Sequence, residues 1–170
     1  MTFSSNSSDP TAGLPRHVLP LRTAAAAGLA ELLRSLVADL VADRRRRGLP
    51  QVRIELDVAA DHSAPAEPAT IRAGLAPLLA AACDAAARGP AGGGPRLCEV
   101  LVTAVETASG LELEVADSGP GPACLPAAAV AAARQLAGRC GGDVFLAACP
   151  EGGAAVTLRL PRRRRDRRAA

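Results

Sequence analysis

Between Leu29 and Leu160 the apolar residues switch repeatedly from the three-and-four spacing of a helix to the alternate spacing of a strand, and the order of those switches restricts the folds open to the chain. Leu29, Leu32, Leu33, Leu36 and Leu40 line one face of a helix expected over residues 22–47. Arg44 to Arg47 fill its last turn, where cations suit the helix dipole, and Gly48 and Pro50 end it. That arginine run reads either as an anion patch or as a solvated helix end. Val52, Ile54, Leu56 and Val58 then alternate with Arg53, Glu55 and Asp57, the pattern of a half-buried strand. After a Pro/Ala loop at 59–68, a second helix is expected over 70–88, carrying Ile71, Leu75, Leu78, Leu79 and Ala82 on one face. Pro77 lies inside it and should kink its axis.

A Gly/Pro loop at 89–95 leads to a hairpin of residues 100–105 and 111–116, turned at Ser109 and Gly110. A tight polar turn, Asp117-Ser118-Gly119-Pro120-Gly121, leaves that hairpin. A third helix is expected from Pro126 to Arg139, stopped by Gly141 and Gly142. A closing hairpin pairs 144–148 with 155–160. Helix, strand, helix, hairpin, helix, hairpin predicts an α/β two-layer sandwich, with three helices on one face of a mixed sheet of about five strands. The domain should span 21–161, between a Ser/Pro/Gly-rich lead-in at 1–20 and an arginine-rich tail at 162–170.

Charge sharpens this division. All 20 basic residues are arginine, and the net charge of +3 is concentrated in the tail. Residues 161–168 hold six arginines and one aspartate, so residues 1–160 carry a net charge of −2. The tail could hold phosphates electrostatically. Only Phe3 and Phe145 are aromatic, so no platform for stacking bases exists and nucleic acid is not expected as a partner. The five cysteines are scattered without a Cys-x-x-Cys pair, as reduced thiols of a cytoplasmic protein would be. No signal peptide and no membrane span are expected.

With its neighbours, the Asp-x-Gly-x-Gly turn resembles the histidine-kinase-type ATP-binding superfamily, the GHKL ATPases with the Bergerat fold, over roughly residues 25–161. Val115 to Gly121 look like the family's first glycine box. Arg134-Gln135-Leu136-Ala137, Gly141-Gly142, Glu151-Gly152-Gly153 and Thr157 to Pro161 are similar to its ending. The resemblance implies that the Asp117 carboxylate accepts a hydrogen bond from the adenine amino group, with Gly119 and Gly121 shaping the turn beside the base. Read from the residues alone, Asp117-Ser118-Gly119 also suits a simple Asx turn.

The departures fall on the other half of the nucleotide site. The family's second helix carries an Asn that holds the magnesium bound to the phosphates, and Ala81 stands in its place. A methyl group cannot ligate a cation that wants oxygen, so magnesium is not expected. Pro77 occupies the position of an Asn or a general-base Glu. Ala127-Ala128-Ala129 replace the second glycine box, the phosphate lid shrinks to 122–126, and Ala154 replaces a Thr beside the base. The helix at 22–47 is needed by the sandwich itself, so no phosphoacceptor hairpin is expected within these residues. His17 lies between prolines and His62 in the Ala/Pro loop, and both read as exposed loop residues. The resemblance therefore implies a histidine kinase-like ATP-binding domain of bacterial-type two-component signal transduction with an eroded site. ATP is expected to bind weakly, and no catalytic or metal-ligating residue is assigned. The alternative is a non-catalytic adaptor, a pseudokinase or a phosphotransfer-like scaffold. Either would act on a protein partner in a signalling pathway, with homodimerisation left open.

Overall fold

A computed structural model describes residues 28–92, 97–150 and 152–162. The lead-in at 1–20 with His17, the first residues of the expected first helix, and the tail beyond Arg162 lie outside the described residues. The elements run in the order α1 (Leu29–Arg46), β1 (Arg53–Val58), α2 (Pro68–Arg88), β2 (Glu99–Glu106), β3 (Gly110–Asp117), a 3-10 turn (Pro122–Cys124), α3 (Ala127–Arg139), β4 (Asp143–Ala148) and β5 (Ala154–Pro161).

The five strands form one sheet in the order β1-β2-β3-β5-β4. β1 pairs with β2 in parallel, and every other pair is antiparallel. The mixed sheet under three helices is the α/β sandwich that the periodicities imply. Alternation sorts its two faces. Val100, Val102 and Ala104 of β2, Leu111, Leu113 and Val115 of β3, and Val156, Leu158 and Leu160 of β5 are buried under the helices. The opposite face is polar across its centre. There Thr157 Oγ1 donates to Glu114 at 2.8 Å, and Arg159 pairs with Glu112 at 3.0 Å while lying 4.5 Å over the Phe145 ring.

α1 ends in a Schellman motif. The Leu49 N–H donates to the Arg44 carbonyl at 3.0 Å and the Gly48 N–H to the Arg45 carbonyl at 3.1 Å, with Gly48 at φ +65°. The arginine run at this end is not uniformly solvated. Arg45, Arg46 and Arg47 are exposed, but Arg44 is 6% exposed and donates to Asp84 of α2 at 2.5 Å and to the Pro50 carbonyl at 3.3 Å. His62 also departs from expectation. It is buried because its loop folds against the start of α1, where its carbonyl accepts the Leu29 N–H at 2.9 Å.

α2 is the central helix. Pro68 occupies its first turn, where the missing N–H costs nothing, and the helix runs on through Pro77 to Arg88. By length and composition α2 is apolar enough to cross a membrane. Its apolar face is instead core: Ile71, Leu75, Leu78, Leu79 and Ala86 are all nearly inaccessible. α3 crosses it at Gly74, where a Cβ would come within 2.5 Å of Leu136 Cβ. Only glycine allows the two helices so close.

Candidate functional site

Asp117 is the last residue of β3 and continues the inward row of Leu111, Leu113 and Val115. It therefore ends the strand on the face that α2 covers, and it is 6% exposed. Its Oδ1 accepts the Gly119 N–H at 2.8 Å, which closes an Asx turn, and its carboxylate also accepts the Ala154 N–H. Burial pushes the carboxyl above its ordinary value. The two backbone donors and the Arg88 guanidinium oppose that rise without cancelling it.

The turn is held from every side. The Ser118 N–H donates to the Glu99 carbonyl at 3.0 Å, and the Glu99 N–H donates back to Ser118 Oγ at 2.9 Å. Gly119 lies against α2 so closely that a Cβ would stand 2.6 Å from the Ala85 carbonyl carbon. Gly153, at φ +91°, presses on the strand end, where a Cβ would meet the Asp117 carbonyl oxygen at 1.8 Å. Gly121 takes φ +110°, a conformation L side chains rarely adopt. The structure thus brings Asp117, Gly119 and Gly121 together in one turn, as the sequence suggests. It also adds two groups that the sequence does not single out as partners of Asp117: Arg88 and the Ala154 backbone.

Ala81 precedes Ala85 by one helical turn, so the two share a face of α2. Ala81 is buried in the core, and Pro77 lies one further turn back along the same row. This row of α2 presents no side-chain oxygen between Pro77 and Ala85. Beyond the turn the chain makes one 3-10 turn and enters α3 at Ala127, with Pro126 as its cap rather than its first residue. Ala129 and Val130 in the first turn of α3 are already buried. Arg88 donates to the Cys124 carbonyl at 3.3 Å and ties this short connection to the end of α2. Five surface cavities among the described residues open elsewhere, and neither Asp117 nor Ala81 lines any of these five. Among the described residues no group of three or more His, Cys, Asp or Glu is placed to hold a metal ion.

No protein-family model matches the sequence, and no curated protein is significantly similar to it. Solved structures are similar in fold. The ATP-binding domain of PrrB from Mycobacterium tuberculosis matches with a TM-score of 0.50 at 23% identity, over 76% of this chain and 93% of that one. The nucleotide-free catalytic domain of the histidine kinase ThkA matches with a TM-score of 0.58 at 15% identity, over 79% and 93%. The cytoplasmic segment of the histidine kinase QseC matches with a TM-score of 0.54 at 19% identity, over 85% and 82%. The architecture is therefore that of the histidine kinase ATP-binding domain, the fold to which the Asp-x-Gly-x-Gly turn points.

Proposed function

We propose that residues 21–161 form a histidine kinase-like ATP-binding domain of bacterial-type signal transduction whose base-reading corner persists while its phosphate corner is lost. One observation carries the reading: the Asp117 turn is built and packed against α2, while the row of α2 that leads to it carries Pro77, Ala81 and Ala85 and no side-chain oxygen, with the Arg88 guanidinium at its end. Asp117 would accept the adenine amino group, with Gly119 and Gly121 giving the base room to approach. No oxygen is supplied where a magnesium–phosphate group would need one. The short connection and the early start of α3 leave little room for a lid. The protein then works as a cytoplasmic, non-catalytic module that engages a protein partner, and ATP is at most a weak ligand.

The test is a calorimetric titration of the full chain with ATP, with and without magnesium. Binding weaker than micromolar, with magnesium changing the affinity less than about twofold, is the expected result. Sub-micromolar binding that requires magnesium overturns the reading.

A further inference from the structure

The end of α1 and the start of β1 enclose a cavity of about 320 Å³, lined in part by Val41, Arg44, Arg45, Leu49 and Ile54. It lies at the sheet edge formed by β1, away from Asp117, and the nucleotide reading leaves it without a role. Its walls combine an apolar surface with two guanidinium groups that differ in state. Arg44 is already neutralised by Asp84. Arg45 is exposed and, alone among the arginines of α1, has no carboxylate partner among the described residues: Arg34 pairs with Glu31, and Arg46 with Asp43. Arg44 also keeps a buried Nε–H with no acceptor. That Nε is shielded from solvent, so what the cavity offers a ligand is the Arg45 guanidinium, which has no carboxylate partner among the described residues.

We propose that this cavity binds a small amphipathic carboxylate, with Arg45 as its counter-ion and Val41, Leu49 and Ile54 around its apolar body. The volume is at the lower end of ligand sites, which run from about 300 to 1,000 Å³. It is about twice that of the ~150 Å³ apolar cavity that accepts benzene, which suits a body of about six to ten carbons. Arg45 offers a planar fork that matches a carboxylate bidentately. Its apolar stem can pack beside Val41 while its charged head stays at the cavity mouth, in reach of a carboxylate.

Octanoate and octan-1-ol are suitable probes, titrated separately into the full chain by calorimetry. Octanoate should saturate a single site, and octan-1-ol should bind about tenfold more weakly, the difference made by one charge-assisted contact. Arg45→Gln should weaken octanoate about tenfold and leave octan-1-ol unchanged. Arg46→Gln, which alters a residue outside the cavity, should change neither. Val41→Asp places a carboxylate beside Arg45 and should abolish octanoate binding. Arg45 and Val41 are both exposed enough for these variants to fold, which far-ultraviolet circular dichroism checks. The proposal is overturned if octanoate shows no saturable binding, if octan-1-ol binds equally well, or if Arg45→Gln retains parental affinity for octanoate.

Discussion

Burying the Arg44 guanidinium strips it of water, and only Asp84 and the Pro50 carbonyl replace that hydration. Asp84→Ala should therefore destabilise the fold although Asp84 itself is half exposed. The expected loss is about 1–2 kcal/mol by urea denaturation, reduced from the value for a fully buried pair by solvent screening. A change below a few tenths of a kcal/mol would show that water already serves Arg44. Asp117 gives a pH-dependent counterpart. Its folded carboxyl holds a proton more tightly than the ordinary carboxyl at 3.8, so the folded chain binds more protons than the unfolded one between those two values. Stability from this group is then greatest at low pH and declines as pH rises through the window. The melting temperature of the parent, measured relative to Asp117→Asn, should fall as pH rises from 3.8 and level off above the raised value. A constant difference between the two proteins across that range would contradict the assignment. The Asp117 turn was legible in the sequence because an Asx turn is a local pattern over three residues. Arg44–Asp84 was not, because no local pattern links residues forty positions apart, and the same holds for the burial of His62.

At the level of elements, the glycines around Asp117 fix how closely β3, β5 and α2 approach. Alanine at each of them meets a different obstacle. At Gly153 it meets both a positive φ of +91° and the Asp117 carbonyl oxygen; at Gly119 it meets the Ala85 backbone; at Gly121 it meets mainly the φ of +110°. The cost should rank Gly153→Ala, then Gly119→Ala, then Gly121→Ala. Gly121→Ala should cost about 1–2 kcal/mol, the usual scale of backbone strain, and Gly153→Ala clearly more. Equal midpoints in urea for the three variants would show that the turn relaxes freely. Periodicity located the described helices and strands because apolar residues in most of them gather on one face, and the strand ends differ from expectation by a residue; β4 buries no residue and is held by its pairing with β5. Helix starts were harder to read. Pro68 and Pro126 each sit at a boundary that propensity alone cannot fix, and α2 begins at the first while α3 begins after the second. The placement of β5 between β3 and β4 was not legible either, because strand order depends on pairings between distant segments.

For the whole molecule, the question is whether the corner around Asp117 and the bare face of α2 are two halves of one former site. If they are, restoring the missing half should restore function in proportion. Ala81→Asn supplies an oxygen on the row of α2 that ends at Ala85 beside Gly119. Glycines at Ala127 and Ala129 loosen the start of α3, where Ala127 and Ala128 are exposed and Ala129 and Val130 are buried. The changes are not free: each glycine costs about 1 kcal/mol of helix propensity, and a buried amide without a partner costs about 1–3 kcal/mol. Against a total stability on the order of 5–15 kcal/mol, the triple variant should still fold, which circular dichroism can verify first. Pro77 lies one turn before Ala81 and removes a backbone hydrogen bond there, so the new Asn has a less regular frame than an uninterrupted helix would give it. Partial recovery is therefore expected: magnesium-dependent ATP binding about tenfold or more above the parent. Ala81→Asn alone should gain little, because the packed start of α3 still excludes the phosphates. Adding Asp117→Asn to the triple variant should remove the gain, since the base would lose its acceptor. If the triple variant binds ATP no better than the parent, and Asp117→Asn changes nothing in either protein, the Asp117 turn is a structural corner of this fold and not the remnant of a nucleotide site.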